Sequence, residues 1–129
     1  MALGFSRLSN RKLIARFSAV STGGFSQGGT TALGQLLRHP GSVRGVMVCS
    51  GFLADHPTVA ATPHTVGTTP IFWGHGTADM AIPHEHGAAG QHALRMANAR
   101  LTSHSYEGMG HTIGSAEVAD MKAWLAALG

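Results

Sequence analysis

Three side chains in this sequence of 129 residues have the types and the order needed for nucleophilic chemistry: Ser26, Asp79 and His111. Ser26 lies in residues 24–28, which read Gly-Phe-Ser-Gln-Gly and match the pattern G-x-S-x-G. This pattern is typical of a nucleophile elbow, a sharp turn from a strand into a helix that exposes the serine hydroxyl. Because 18 of the residues are glycine, the pattern is also compatible with an ordinary glycine-rich turn.

Asp79 and His111 are the candidate partners of Ser26. A serine hydroxyl is a poor nucleophile at neutral pH, but a histidine within hydrogen-bond reach can accept its proton. A buried carboxylate then fixes the imidazole tautomer and stabilises the imidazolium. The backbone N–H of Gln27, at the start of the expected helix, would be one donor of an oxyanion hole. Two alternatives remain open: Asp79 only caps the helix that follows it, or Asp55 is the acid.

The hydrophobic pattern predicts alternating strands and helices. The predicted strands are residues 17–22, 43–50, 70–74 and 101–106, and the predicted helices are residues 7–16, 28–38, 84–99 and 115–128. Residues 51–69 form a long loop with a helical turn. Helical crossovers join parallel strands, so we expect an α/β fold with about four parallel strands covered by helices on both faces. The three candidate side chains each follow a strand and should lie at the same sheet edge.

Each of the last two helices is expected to bury one face. The expected buried residues of helix 84–99 are Ala89, His92, Ala93, Met96 and Ala97, and those of helix 115–128 are Val118, Met121, Trp124, Leu125 and Leu128. Gly87 and Gly90 are expected to weaken the first helix. Ser115 is the expected N-cap of the second.

Composition indicates one soluble globular domain, with 43% hydrophobic and 12% charged residues. The net charge is +3, and the basic residues are scattered without interleaved aromatics, so we expect no nucleic-acid partner. No apolar run reaches the length of a membrane span, and residues 1–17 lack the apolar region of a targeting peptide, so we expect a cytoplasmic protein. The single cysteine, Cys49, lies in an apolar run and is expected to be buried.

No metal site or cofactor is expected. Residues 84–86 read His-Glu-His, but this spacing does not place two histidines one helical turn apart, as a zinc-binding helix requires. The histidines other than His111 are therefore expected at the surface or in loops. Four apolar side chains flank the candidate loops and either line an acyl pocket or belong to the core. These side chains are Phe25, Phe52, Met80 and Met109.

Four motifs resemble those of the phospholipase/carboxylesterase family of α/β-hydrolases, which includes the acyl-protein thioesterases. They are residues 24–29 (Gly-Phe-Ser-Gln-Gly-Gly), residues 50–51 (Ser-Gly), residues 75–83, which hold His-Gly-Thr-Ala-Asp and Ile-Pro, and residues 106–111 (Tyr-Glu-Gly-Met-Gly-His). The resemblance implies a serine esterase of broad specificity that acts on carboxylic esters or thioesters without metal or cofactor. Our own expectation within that class is a serine carboxylesterase that cleaves short-chain esters, with thioesters as a further candidate substrate. It implies Ser26 as nucleophile, Asp79 as acid and His111 as general base.

The resemblance covers residues 24 to about 128, the C-terminal half of the family's fold. Residues 1–22 contain no counterpart of the loop that supplies the second oxyanion donor in the family, so we expect a leader over 1–22 and a catalytic domain over 23–129. A sheet that begins at the elbow strand would leave a hydrophobic edge open, which predicts a homodimer or higher homo-oligomer. The alternative function is a catalytically feeble half-hydrolase that acts as an oligomeric structural or binding module.

Overall fold

A single parallel sheet organises the molecule, and the computed structural model describes residues 21–128 of it. The strands are β1 (Ser21–Phe25), β2 (Gly45–Cys49), β3 (Pro70–Gly76) and β4 (Arg100–Tyr106), and they pair in the order β1-β2-β3-β4. All three pairings are parallel. The α/β fold with four parallel strands is therefore confirmed.

Helices connect the strands. They are α1 (Gln27–Arg38), α2 (Pro63–Val66), α3 (His84–Met96) and α4 (Ser115–Ala127), with a 3₁₀ turn at Pro57–Val59. Their bounds agree closely with the predicted helices, and α2 and the 3₁₀ turn lie in the predicted long loop. The predicted helix 7–16 lies outside the described residues.

The first described strand continues further along the chain than predicted. It spans Ser21–Phe25 and includes Gly23 and Gly24, whereas the predicted strand was 17–22, of which 17–20 lie outside the described residues. Glycine weakens an isolated strand, which is why the sequence pattern ended the strand early. Pairing with β2 overrides this weak propensity, since Gly23 lies opposite Met47 in the parallel register.

Two apolar layers enclose the sheet. On one face, Leu33 and Leu36 of α1 are fully buried in a cluster with Ile71 and Trp73 of β3. On the other face, Phe72 lies with its ring centroid 5.9 Å from that of Trp124 in α4. Successive residues of β3 therefore serve opposite layers, as strand geometry requires. Among residues 21–128, no helix is long and apolar enough to cross a membrane.

Helix α3 packs only partly through the predicted face, of which Ala97, directly after the helix, is buried in the core. Its buried residues are Gly87, Gly90, Gln91 and Leu94. Exposed members of the predicted face are Ala89, His92 and Met96. A Cβ on Gly90 would lie 2.9 Å from the indole of Trp73, so the glycines that lower helix propensity are what allow α3 to approach the sheet.

Helix α4 also differs from its predicted face. Glu117 and Trp124 are its buried residues, whereas Val118 and Leu125 are 37% and 41% exposed. Glu117 was not among the residues expected on the buried face, and it is fully buried. Gly114, not Ser115, is the N-cap residue, and it makes no side-chain capping bond.

Candidate active site

Ser26 occupies a sharp turn between β1 and α1. Its backbone has φ 57° and ψ −121°, a combination that residues other than glycine rarely adopt. Strain of this kind persists only where the surrounding structure holds it, and it is characteristic of functional sites. The turn brings the backbone of Gly24 close to that of Gly28. Glycine at position 24 permits this approach, because a Cβ there would overlap the Gly28 carbonyl group.

The Ser26 hydroxyl is directed away from its own helix. Ser26 is the N-cap residue of α1, yet its side chain makes no capping hydrogen bond. The hydroxyl oxygen Oγ instead lies 2.9 Å from Nε2 of His111. The helix N-terminus therefore keeps backbone N–H groups without intrahelical acceptors, and the first of them belongs to Gln27.

His111 bridges Ser26 and Asp79. Its Nδ1 lies 2.8 Å from Oδ2 of Asp79, so the three side chains form one hydrogen-bond chain. We assign the proton of the neutral imidazole to Nδ1, because the carboxylate can only accept. Nε2 is then free to accept the proton of the serine hydroxyl. Asp55, the alternative acid, is exposed on the loop after β2 and is not the partner of His111.

Asp79 is buried and richly hydrogen-bonded. Burial by itself raises the pKa of this carboxyl, but the hydrogen bond from His111 and those from the backbone N–H groups of Ile82 and Ala81 outweigh it, so the pKa lies below 3.8. The two backbone donors reach Oδ1 at 2.8 and 2.9 Å. Asp79 is therefore ionised at neutral pH and oriented with its second oxygen toward His111.

The loops that carry Asp79 and His111 are braced against each other. The N–H of Ala78 donates to the Met109 carbonyl at 3.0 Å, and the N–H of Gly108 donates to Oγ1 of Thr77 at 2.8 Å. Gly76 allows this contact, since a Cβ there would overlap the Met109 carbonyl. These bonds fix the distance between the acid and the histidine.

The four apolar residues proposed for an acyl pocket lie in different surroundings. The ring of Phe25 lies 4.6 Å from that of His111 between centroids and is 38% exposed. Phe52 and Met109 are half-buried, and Met80 is 95% exposed. Phe25 thus contacts the candidate site directly, while Met80 faces solvent.

Sequence reasoning missed His75. It was expected at the surface or in a loop, as were all histidines except His111, but it lies in β3 and is fully buried, so that expectation was wrong for this residue. Its Nε2 lies 3.3 Å from Oδ2 of Asp79. The available signal was its place four residues before Asp79 at the end of an apolar strand, where the sheet edge gathers functional groups.

Below the site, Cys49 and Glu117 share a buried region on the α4 side of the sheet. Cys49 is 2% exposed, as expected. Burial, assisted by the nearby carboxylate of Glu117, raises the pKa of the thiol to about 12. No group of three or more histidine, cysteine, aspartate or glutamate side chains within residues 21–128 is arranged to hold a metal ion.

Comparison with known proteins shows which protein family the chain is related to. The family model for phospholipase/carboxylesterase matches residues 9–128. A probable carboxylesterase of Oryza sativa subsp. japonica is 36% identical over 104 residues, which are 79% of this chain and 39% of that protein. The carboxylesterase SOBER1 of Arabidopsis thaliana is 32% identical over 103 residues, covering 79% of this chain and 45% of that protein.

The crystal structure of SOBER1 superposes on 98% of this chain and 58% of its own, with a TM-score of 0.78 and 26% identity. A probable inactive carboxylesterase of Oryza sativa subsp. japonica is 31% identical over 103 residues, 79% of this chain and 42% of that protein. The matched part of the chain thus covers less than half of the full length of the three relatives compared by sequence, and 58% of the SOBER1 crystal structure. With its α/β-hydrolase sheet and the family match over residues 9–128, the chain belongs to the phospholipase/carboxylesterase family.

Proposed function

We propose that this protein is a serine carboxylesterase that hydrolyses short-chain carboxylic esters, and the related thioesters, through an acyl-enzyme on Ser26. The observation that carries the proposal is His111, which lies within hydrogen-bond distance of both Ser26 and Asp79. Membership of the family supports the same reaction class. The proposed reaction uses side chains and backbone groups alone.

In the proposed first step, Ser26 Oγ attacks the ester carbonyl carbon while its proton passes to Nε2 of His111. Asp79, whose pKa is lowered, stabilises the resulting imidazolium. The backbone N–H of Gln27 donates to the oxyanion of the tetrahedral intermediate. The intermediate collapses to the acyl-enzyme when His111 returns the proton to the leaving alcohol or thiol. A water molecule, deprotonated by His111, then releases the carboxylic acid.

The short-chain preference is tied to Phe25. Its half-exposed ring lies against His111, so an acyl group would meet an apolar surface beside the nucleophile. No deeper role is proposed for the solvent-facing Met80. Kinetics on a series of p-nitrophenyl esters from acetate to octanoate measures the preference, and kcat/KM is expected to peak at acetate or butyrate.

The deciding experiment compares the native chain with Ser26→Ala on p-nitrophenyl acetate and butyrate. We expect hydrolysis by the native chain, loss of hydrolysis in Ser26→Ala, and native rates in the matched control Ser115→Ala, whose side chain is exposed on α4. Equal rates in the native and Ser26→Ala proteins reject the enzyme proposal. Mass spectrometry after treatment with a fluorophosphonate should find one adduct, on Ser26.

A homodimer through the edge of β1 is the proposed assembly. Within residues 21–128, β1 pairs only with β2, and an edge strand of this kind is a site where another strand can pair. Beside this edge lies a groove of about 510 Å³, whose lining includes Thr22, Gly28 and Gln35. A Cβ on Gly28 would meet nothing within 4 Å among the described residues, so a larger side chain at this position can be introduced to test the groove.

Light scattering after size exclusion tests the assembly. The native chain is expected to elute as a dimer or higher homo-oligomer, and Gly28→Val, which places a branched side chain in the groove, is expected to shift it toward monomer. A monomeric native chain at micromolar concentration rejects the dimer. The division into a leader over 1–22 and a catalytic domain over 23–129, and a cytoplasmic location, stay predictions.

A catalytically feeble module is the second candidate function. Among the described residues, Gln27 is the candidate oxyanion donor, and the loss of one such donor costs about 10²–10³ in kcat. One relative is itself named a probable inactive carboxylesterase. In this case the native and Ser26→Ala proteins would show the same background rate while the oligomer persists.

A further inference from the structure

The loop that follows β3 and carries Asp79 and Ile82 is called the acid loop here. His75 lies beneath this loop and contacts it at two points. It is fully buried in β3. Its Nε2 lies 2.8 Å from the carbonyl oxygen of Ile82 and 3.3 Å from Oδ2 of Asp79. The contact with Ile82 has hydrogen-bond geometry, whereas the carboxylate lies beside the same nitrogen at a longer distance.

The proton of His75 can be assigned from these neighbours. Both groups facing Nε2 are acceptors, so Nε2 carries the proton. Among residues 21–128, Nδ1 has no hydrogen-bond partner. His75 accordingly presents a fixed N–H to the acid loop.

Ile82 closes a small ring of hydrogen bonds between His75 and Asp79. Its carbonyl oxygen accepts from His75, and its N–H donates to Oδ1 of Asp79 at 2.8 Å. His75 thus holds the residue that orients the carboxylate. With Oδ1 held, Oδ2 stays directed at His111, 2.8 Å away.

Gly87 of α3 provides the space that the His75 ring occupies. A Cβ on Gly87 would overlap Nδ1 of His75. The ring of His84, at the start of the same helix, lies edge-on to His75 with 5.6 Å between centroids. Helix α3 therefore packs against the imidazole of His75, whose Nε2 contacts the acid loop.

We infer that His75 is a positioning residue of the proposed esterase: its Nε2–H anchors the loop that aims Asp79 at His111. The inference rests on the proposed function, but its structural part does not need turnover to be tested. If the anchor is lost, Asp79 no longer holds the proton on Nδ1 of His111. The alternative Nε2–H tautomer cannot accept the proton of Ser26, so turnover falls while substrate affinity is retained.

His75→Phe keeps a ring of similar size and removes the donor, and His75→Gln replaces the ring but restores an N–H near the position of Nε2. We expect His75→Phe to lower kcat about ten- to a hundredfold with KM little changed, as for a misplaced catalytic group. His75→Gln should recover most of kcat. In an Asp79→Asn background, His75→Phe should cause no further loss, because both changes remove the same interaction.

Gly87→Ala supplies an independent variant in case His75→Phe does not fold. The added Cβ overlaps the His75 ring, so a merely structural role for Gly87 predicts lower stability but a native kcat for the folded molecules. Displacement of the His75 ring predicts a lower kcat. A native kcat in a folded Gly87→Ala protein would contradict the inference.

The tautomer of His111 is measured directly from the ¹⁵N shifts of its ring, with His111→Gln to assign the signals. The native chain and His75→Gln should show the Nδ1–H form, and His75→Phe should move toward the Nε2–H form. An unchanged tautomer in a folded His75→Phe protein, or an equal loss of kcat with and without Asp79, overturns the inference. If the native chain neither hydrolyses esters nor reacts with a fluorophosphonate, the proposed function fails, and the tautomer still decides the role of His75.

Discussion

The carboxylate of Glu117 occupies the space that a Cβ on Gly74 would need, at the centre of the sheet face covered by α4. Glu117 is fully buried, and neither of its oxygens has a hydrogen-bond partner among residues 21–128. The Cys49 thiol, on the same side of the sheet, has Sδ of Met121 as its hydrogen-bond acceptor at 3.4 Å. Burial raises the pKa of Glu117, and the charge of Asp120 raises it further, while the thiol lowers it.

This buried acid predicts a pH-dependent stability. The unfolded chain loses the Glu117 proton near 4.5, whereas the folded chain keeps it to higher pH. The stabilisation is therefore fully present below the unfolded pKa and is lost as the pH rises toward the folded pKa, with a slope of at most about 1.4 kcal/mol per pH unit. Urea unfolding across this range measures the slope.

Glu117→Gln should remove that slope while keeping the shape of the side chain. The matched control is Glu85→Gln, which changes an exposed glutamate in the first turn of α3 and should leave the slope as in the native chain. A Glu117→Gln protein whose free energy of unfolding falls with pH as steeply as the native one would show that another group is responsible.

The thiol of Cys49 is predicted to be inert in the folded protein. It is 2% exposed, its pKa is raised to about 12 by burial and by Glu117, and only the thiolate reacts with disulfide reagents. Ellman's reagent at mildly alkaline pH should release no thionitrobenzoate from the native chain and one equivalent from the chain in guanidinium, with Cys49→Ala as the blank. Rapid release from the folded protein contradicts the placement of Cys49.

Gly24 and Gly34 predict opposite outcomes for the same substitution. A Cβ on Gly24 would overlap the Gly28 carbonyl group, so Gly24→Ala should distort the elbow and destabilise the protein by about 1–3 kcal/mol. A Cβ on Gly34 in α1 would make ordinary contact with Val59 at 3.6 Å, so Gly34→Ala should stabilise the helix by up to about 1 kcal/mol. Thermal unfolding of the two variants gives the comparison, and equal shifts would contradict it.

Much of the sheet was predictable because its strands are short apolar runs separated by helices and turns. The order of Ser26, Asp79 and His111 placed them at one sheet edge, where the structure joins them by hydrogen bonds. Their catalytic roles stay predictions. The buried faces of α3 and α4 were predicted only in part. Ala97 and Trp124 are buried as expected, but the pattern of apolar residues could not identify the buried Gly87 and Glu117.

His75 and Glu117 show why the rest could not be derived from the pattern. Each is a polar residue inside the protein, and each is accommodated by a glycine on a neighbouring element. His75 faces Gly87, and Glu117 faces Gly74. Such pairs join residues distant in sequence, so only the three-dimensional packing reveals them.

The two candidate acids of the sequence give the last prediction. Asp79→Asn leaves a side chain of the same shape, but its amide nitrogen cannot accept the proton on Nδ1 of His111, so the imidazole adopts the unproductive tautomer. We expect kcat to fall about 10³–10⁴-fold, as acid-to-amide changes do in such hydrogen-bond chains. Asp55→Asn, a change on the exposed loop after β2, should retain native kinetics.

The free energy of unfolding provides a second test of Asp79. Because the pKa of Asp79 is depressed in the folded protein, its carboxylate contributes stability above the unfolded value of 3.8, and this contribution is lost as the pH falls through the folded pKa. Asp79→Asn should therefore be less stable than the native chain at neutral pH, and the difference should shrink in acid. If Asp55→Asn rather than Asp79→Asn abolished turnover, the proposed role of Asp79 would be wrong.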